Sequence, residues 1–90
     1  MTLKSDSGTL SATGTTPELK VTEFDFFLDL GASSQFDIQV KHEQLDEWFT
    51  VETYTSDPSN QPVQVKFRKE HTVRGNYTHS ANTDYAFDGK

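Results

Sequence analysis

The sequence predicts an all-β protein, a small antiparallel β-sandwich with a flexible N-terminal arm. Three observations predict this class. Apolar and polar residues alternate with a period of two in several short segments, which is the pattern of a half-buried strand. Turn-forming residues separate these segments roughly every 8–12 residues. No segment of useful length has the i, i+3, i+4 spacing of an amphipathic helix, and a sandwich of two small sheets is preferred to a small barrel.

The arm is predicted over residues 1–17, which are rich in Ser, Thr and Gly. Beyond Met1, only Leu3 and Leu10 are sizeable apolar side chains there, so the segment cannot bury enough surface to fold alone. Two interpretations stay open, a mobile terminus or an arm that adds a strand to a neighbouring subunit. The β-sandwich domain is then predicted over residues 18–90.

The first strand segment of this domain, residues 19–30, changes parity partway along. Leu19 and Val21 are apolar at odd numbers, whereas the later apolar positions fall mainly on even numbers. The slip near Thr22 predicts a β-bulge or a bend. Phe27 breaks the alternation and falls on the acidic face, where it is either an ordinary exposed aromatic residue or a contact anchor.

The middle of the chain predicts two more strands. The alternation from Phe36 to Lys41 gives one strand, and an acidic loop over residues 43–47 follows it. Residues 48–55 combine the single tryptophan with β-branched residues and predict a central strand, closed by a turn at residues 56–60. Because Trp48 and Phe49 are adjacent, they point to opposite faces. We expect one of them to fill the space between the sheets and the other to meet a partner.

The last third of the chain continues the alternation. Odd-numbered apolar residues run from Val63 to Phe67 and resume from Val73 to Tyr77, as one long bent strand or as two strands joined by a tight turn. Gly75 inside this pattern indicates a bulge or a close approach of the backbone. A short terminal strand is predicted over residues 85–87.

Composition limits what such a domain can do. Ninety residues with 32% hydrophobic side chains and a mean hydropathy of -0.71 can build only a thin core. Without cysteine there is no disulfide and no thiolate metal site, so oligomerisation or docking on a larger body is the expected source of extra stability. The net charge of -6 argues against nucleic acid as a partner. Because no apolar run approaches a membrane span or a secretory signal, we expect no membrane partner either.

The charges are unevenly distributed along the chain. Acidic residues dominate residues 18–57, whereas half of the eight basic residues lie within residues 66–74. Two interpretations stay open. An acidic side and a basic side suit head-to-tail contact between copies or docking on a patterned scaffold, and solvated strand faces would show the same pattern.

The residues that carry chemistry elsewhere have no catalytic arrangement here. His42, His71 and His79 lack metal-ligand spacing on any one element. The sequence has no Gly-rich phosphate loop and no serine in a nucleophile elbow. We therefore expect no catalytic residue, no cofactor and no metal, and we do not expect an enzyme.

Four short motifs, taken in order, resemble the short β-sandwich virion proteins of tailed bacteriophages. They are Ile38-x-Val40, Trp48-x-x-Val51-x-x-Tyr54-x-Ser56-Asp57, Val65-x-Phe67-Arg68 and Val73-Arg74-Gly75-x-Tyr77-Thr78. The resemblance implies an immunoglobulin-like sandwich and a non-enzymatic structural role, as a capsid decoration (cement) protein or as a small tail or head-fibre protein. The implied location is the virion, assembled in the host cytoplasm, and the implied partners are the major capsid protein or other virion subunits.

The sequence also predicts which residues form interfaces. They are Leu3, Leu10, Phe27, Trp48, Phe49, Lys66, Arg68, Lys69 and Arg74. The alternatives are a tail or connector component and a carbohydrate- or ligand-binding module. A binding module would use exposed aromatic rings for stacking, with Phe27, Tyr54, Tyr77 and Tyr85 as its candidates.

Overall fold

A computed structural model describes residues 4–78 and 81–90, which form β-strands and connecting loops without a helix. The seven strands are β1 (Ser5–Leu10), β2 (Gly14–Thr15), β3 (Leu19–Asp29), β4 (Gln35–His42), β5 (Glu47–Tyr54), β6 (Val63–Thr78) and β7 (Thr83–Gly89). The predicted all-β class is confirmed. Over the described residues, no helix is long and apolar enough to cross a membrane.

All seven strands belong to one antiparallel sheet. Their order is β1-β7-β3-β6-β4-β5, and the short β2 pairs with β6 beside this path. The prediction of a central strand over residues 48–55 is wrong, because β5 is the last strand of the order and lies at an edge. Of its eight residues only Trp48 and Tyr54 are half-buried, and the others are exposed. Its aromatic and β-branched composition therefore fits a pleated surface without indicating a central position.

The sheet curls so that one of its faces closes over a single core. Phe36 on β4 lies 6.2 Å from Phe87 and 6.1 Å from Tyr85 on β7, measured between ring centroids. In the strand order β4 and β7 are separated by β6 and β3, so these contacts require the sheet to fold back towards itself. The buried apolar side chains are Leu19, Val21, Phe24, Phe26, Leu28, Phe36, Ile38, Val73, Tyr77, Tyr85 and Phe87.

Neither aromatic residue at the start of β5 belongs to this core. Phe49 is 46% exposed, and Trp48 is half-buried. The prediction that one of them fills the space between two sheets is wrong. The largest buried rings come instead from β3, β4 and β7, where Phe26 stacks on Phe87 at 5.0 Å between centroids.

The parity change in residues 19–30 has the predicted cause. The pairing of β3 with β6 shifts register between Val21 and Glu23, so both the odd-numbered Val21 and the even-numbered Phe24 reach the core. Val21 pairs with His71 and Glu23 pairs with Lys66, so two positions along β3 correspond to five positions along β6. The strand β6 continues through this irregularity without a break. The alternative of one long bent strand is thereby confirmed for residues 63–78.

Gly75 lies where two other segments come very close. A Cβ atom at this position would stand 2.3 Å from Cζ of Phe36. On the backbone, Gly75 N–H donates to Oγ1 of Thr16 at 2.8 Å, and the Thr16 N–H donates to the Gly75 carbonyl at 2.9 Å. The close approach that Gly75 indicated in the sequence is present.

The segment predicted as an arm contributes strands to the same sheet. β1 pairs with β7 from Ser5 opposite Asp88 to Leu10 opposite Thr83, and β2 pairs with β6. Leu10 is partly buried and packs against the core. The two interpretations of residues 1–17, a mobile terminus and an arm that adds a strand to a neighbouring subunit, stay predictions, and Leu3 lies outside the described residues.

Candidate docking surfaces

The first candidate surface is an open groove beside the edge strand, which we call the β5 groove. Its apolar wall consists of Val40, Phe49 and Val51, and its volume is about 500 Å³. Phe49 is 46% exposed and Val51 is 51% exposed, so the wall is accessible to a partner. Exposed apolar residues that are contiguous mark binding surfaces more often than scattered ones do.

The groove lies where the β4–β5 hairpin extends beyond the part of β6 that pairs with β4. β4 pairs with β6 only as far as Val40 opposite Val73, whereas its pairing with β5 continues to His42 opposite Glu47. The apolar face of the hairpin end therefore continues the core face without a covering strand. His42 lies against Phe49, with the ring centroids 5.9 Å apart.

The rim of the β5 groove carries charges of both signs. Lys41 and Lys69 line it together with Glu43 and Glu70. The Lys41 ammonium lies 3.0 Å from Oδ1 of Asp46, and the hydrogen bond to this carboxylate raises the pKa of Lys41. Glu43 accepts a hydrogen bond from Thr72, and Glu70 lies 3.9 Å from Lys20. Lys69 has no ion-pair partner among the described residues, so the rim can accept an incoming carboxylate.

Trp48 lies on the other face of β5, under an arginine. The Arg74 guanidinium carbon lies 4.0 Å from the Trp48 ring centroid, and Arg74 Nε donates to Oε1 of Gln39 at 2.9 Å. The Gln39 amide in turn donates to Oγ1 of Thr50 at 3.2 Å. This arrangement ties β6, β4 and β5 together and covers one side of the indole ring.

The second candidate surface, which we call the Phe27 face, lies on the outside of β3 and β7. Phe27 is 41% exposed and stands opposite Ala86. On either side of it two pairs of aspartates face each other directly across the strands, Asp25 with Asp88 and Asp29 with Asp84. A hollow of about 370 Å³ adjoins Phe27, with Asp29, Asp57 and Asp84 on its wall. The structure thus surrounds the exposed ring with carboxylates, as the sequence pattern indicated.

The predicted basic residues do not form one cluster. Lys66, Arg68 and Lys69 are exposed along β6, and Lys66 lies 3.9 Å from Glu23. Arg74 lies on the same strand but is half-buried over Trp48. The interface roles of Leu10, Phe27, Trp48, Phe49 and these basic residues stay predictions.

Two of the predicted stacking aromatics are not available to a ligand. Tyr77 and Tyr85 are only 8% and 7% exposed and belong to the core. Burial raises the pKa of the Tyr85 phenol, and so does the hydrogen bond that it donates to Asp6. Tyr54 is half-buried beside Phe26, with 5.5 Å between the ring centroids. The alternation from Val73 to Tyr77 agrees with the burial of Tyr77, whereas aromatic type alone does not separate the two faces of a strand.

The histidines of the described chain occupy separate sites. His42 accepts a hydrogen bond from the Leu45 N–H at 3.3 Å, and His71 lies against Phe67. His79 lies outside the described residues. Over residues 4–78 and 81–90, no group of three or more His, Asp or Glu side chains is placed to hold a metal ion.

Comparison with known proteins adds no relative. No protein-family profile matches the chain, and neither the curated proteins nor the solved structures include a significant match.

Proposed function

We propose that this chain is a non-enzymatic structural protein of a phage virion, a capsid decoration protein that docks on the shell and stabilises it. The observation that carries the proposal is a pair of separate surfaces with exposed apolar side chains, the β5 groove and the Phe27 face. They share no lining residue. A subunit that meets neighbours on two sides needs two such surfaces.

The size of the core supports the same role. Over residues 4–78 and 81–90 eleven apolar side chains are buried, and the sequence has no cysteine. Contacts with a shell add buried area to a folded domain whose own core is small. The choice of a virion as the assembly is supported by the resemblance of residues 36–87 to β-sandwich virion proteins alone.

The immunoglobulin-like sandwich belongs to this proposal as well. The contacts of Phe36 with Phe87 and Tyr85 bring β4 face to face with β7, as the two layers of a sandwich would be. In this description the chain bends from one layer to the other along β3 and β6, and the bend lies at the register shift between Val21 and Glu23.

The test is whether the protein is a stoichiometric part of the particle. Virions produced from the genome that encodes the chain are purified on a density gradient, and their subunits are quantified by mass spectrometry. We expect a copy number in fixed ratio to the major capsid protein. Particles that lack the gene should release DNA at a lower temperature, and adding back the purified protein should restore resistance.

Two results would contradict the proposal. One is a protein that is abundant in the lysate but missing from purified particles. The other is unchanged heat resistance in particles that lack it.

A further inference from the structure

We propose that the two surfaces bind each other between copies: the Phe27 face of one copy docks in the β5 groove of the next. This inference deepens the proposed function and rests on the chain being a component of an assembly. It assigns one occupant to the groove, a second copy of this chain.

The apolar parts of the two surfaces are complementary. Phe27 is a single exposed ring with small or polar neighbours, since Ala86 stands opposite it and aspartates flank it. The β5 groove is a concave space of about 500 Å³ with an apolar wall of Val40, Phe49 and Val51. An aromatic anchor that enters an apolar pocket is the usual centre of a protein interface.

The charges around these apolar parts are also complementary. Asp25, Asp29, Asp84 and Asp88 surround Phe27, and none of them has a basic partner among the described residues. Lys69 lies on the groove rim, and Arg68 is exposed next to it on β6, whereas Lys66 is already paired with Glu23. Of the two acids of the rim, Glu70 lies 3.9 Å from Lys20, whereas Glu43 accepts a hydrogen bond from Thr72 and keeps its charge. Opposite charges at the rim favour this orientation over others.

A symmetric contact between two β5 edges fits the charges less well. β5 carries Glu47 and Glu52 and no basic residue, so antiparallel pairing with its own copy would gather four carboxylates along one interface. The docking of Phe27 brings carboxylates towards Lys69 on the groove rim instead. Because it joins two different surfaces, the contact is heterologous and produces a ring or an open chain.

The experiment uses two single variants and their mixture. Phe27→Ser removes the anchor and keeps the groove, whereas Val51→Glu places a carboxylate in the groove and keeps the anchor. Sedimentation velocity measures the mass of each protein over a wide range of concentration. Leu45→Ser is the matched control, because Leu45 is 57% exposed but does not line the groove.

We expect the wild-type protein and Leu45→Ser to associate beyond the dimer or to close into a ring. Each of the other variants should raise the apparent dissociation constant by about tenfold or more. The equimolar mixture should form a heterodimer and nothing larger, because it contains one intact anchor and one intact groove per pair.

Three results would overturn the inference. They are a wild-type protein that stays monomeric, a Phe27→Ser variant that associates normally, and a mixture that stays monomeric although both variants are folded by circular dichroism. If one variant does not fold, Asp29→Lys and Lys69→Glu replace the pair: each alone should associate more weakly than the wild-type protein, and their equimolar mixture should recover association beyond the dimer, because both contacts between the two variants join opposite charges. Absence of self-association in a protein that is found in virions overturns only this contact, whereas self-association of a protein absent from virions overturns only the proposed function.

Discussion

Gly75 shows how one residue makes room for the core of this small domain. The Phe36 ring lies over Gly75 and is itself completely buried. Thr16 forms hydrogen bonds with both the N–H and the carbonyl group of Gly75. We expect Gly75→Ala to lower the free energy of unfolding by about 1–3 kcal/mol, because the added methyl group would force the ring out of its position. Denaturant unfolding followed by Trp48 fluorescence measures the difference.

Gly8 provides the control for that substitution. It also lies in a strand, but a Cβ there would meet its nearest neighbour, a Tyr85 ring atom, at 3.7 Å, an ordinary contact distance. Gly8→Ala should therefore leave stability nearly unchanged or raise it. Equal losses in the two variants would show that the Phe36 contact is not the cause.

Tyr85 makes the stability of the fold sensitive to alkaline pH. Burial raises the pKa of its phenol above the ordinary value of 10.0, and the hydrogen bond to Asp6 and the charge of that carboxylate act in the same direction. In the unfolded chain the phenol ionises near its ordinary pKa, whereas in the folded chain it keeps its proton. The stabilisation is thus complete below about pH 10 and is lost as the pH rises towards the folded-state pKa.

We expect the free energy of unfolding to fall above about pH 10 by up to about 1.4 kcal/mol per pH unit from this group. Tyr85→Phe removes the ionisable proton and should flatten that decline, although it also removes the hydrogen bond to Asp6. Urea unfolding at a series of pH values for both proteins gives the two slopes. The same slope in both proteins would show that Tyr85 does not cause the decline.

Among the elements, the edge strand β5 should open more easily than the inner strands β3 and β7. It pairs with β4 alone, and six of its eight residues are exposed. Few buried contacts mean a low free energy of local opening. Protection factors for hydrogen exchange should therefore be lower by about tenfold or more for amides of the β4–β5 ladder than for amides of the β3–β7 ladder. NMR at low protein concentration measures them. Equal protection in the two ladders would contradict this expectation.

The sequence predicts the strands better than it predicts their places in the sheet. Alternation located β3, β4 and β6, and the parity slip near Thr22 located the register shift, because both depend on which side chains face the core. The position of β5 was missed, since its composition reflects a pleated surface and carries no information on neighbours. The sequence placed Phe27 among the acidic residues of its own strand. It did not predict Asp84 and Asp88 there, because these residues pair with β3 from more than fifty positions further along the chain.

The whole molecule carries an excess of negative charge, and four of its carboxylates stand in two opposed pairs. The net charge is -6, and Asp25 with Asp88 and Asp29 with Asp84 stand directly opposite each other on β3 and β7. Asp84 and Asp88 each accept a hydrogen bond from β1, through Thr9 and Ser5. Within the described part of the chain, their partners Asp25 and Asp29 have no such bond to β1. Replacing Asp25 and Asp29 therefore removes the repulsion in each pair and keeps both hydrogen bonds to β1.

The double variant Asp25→Asn with Asp29→Asn should therefore be more stable than the wild-type protein, by about 0.2–1 kcal/mol for each pair relieved. Raising the NaCl concentration from about 0.01 M to about 0.2 M shortens the screening length from about 30 Å to less than 10 Å, so the wild-type protein should gain stability and the variant should gain less. Thermal unfolding at low protein concentration, where the chain is monomeric, measures both effects.

Glu47→Gln with Glu52→Gln is the matched control, because it removes the same charge from positions opposite His42 and Ile38. If this control gains as much stability as the aspartate variant, the net charge and not the opposed pairs limits the stability of the fold.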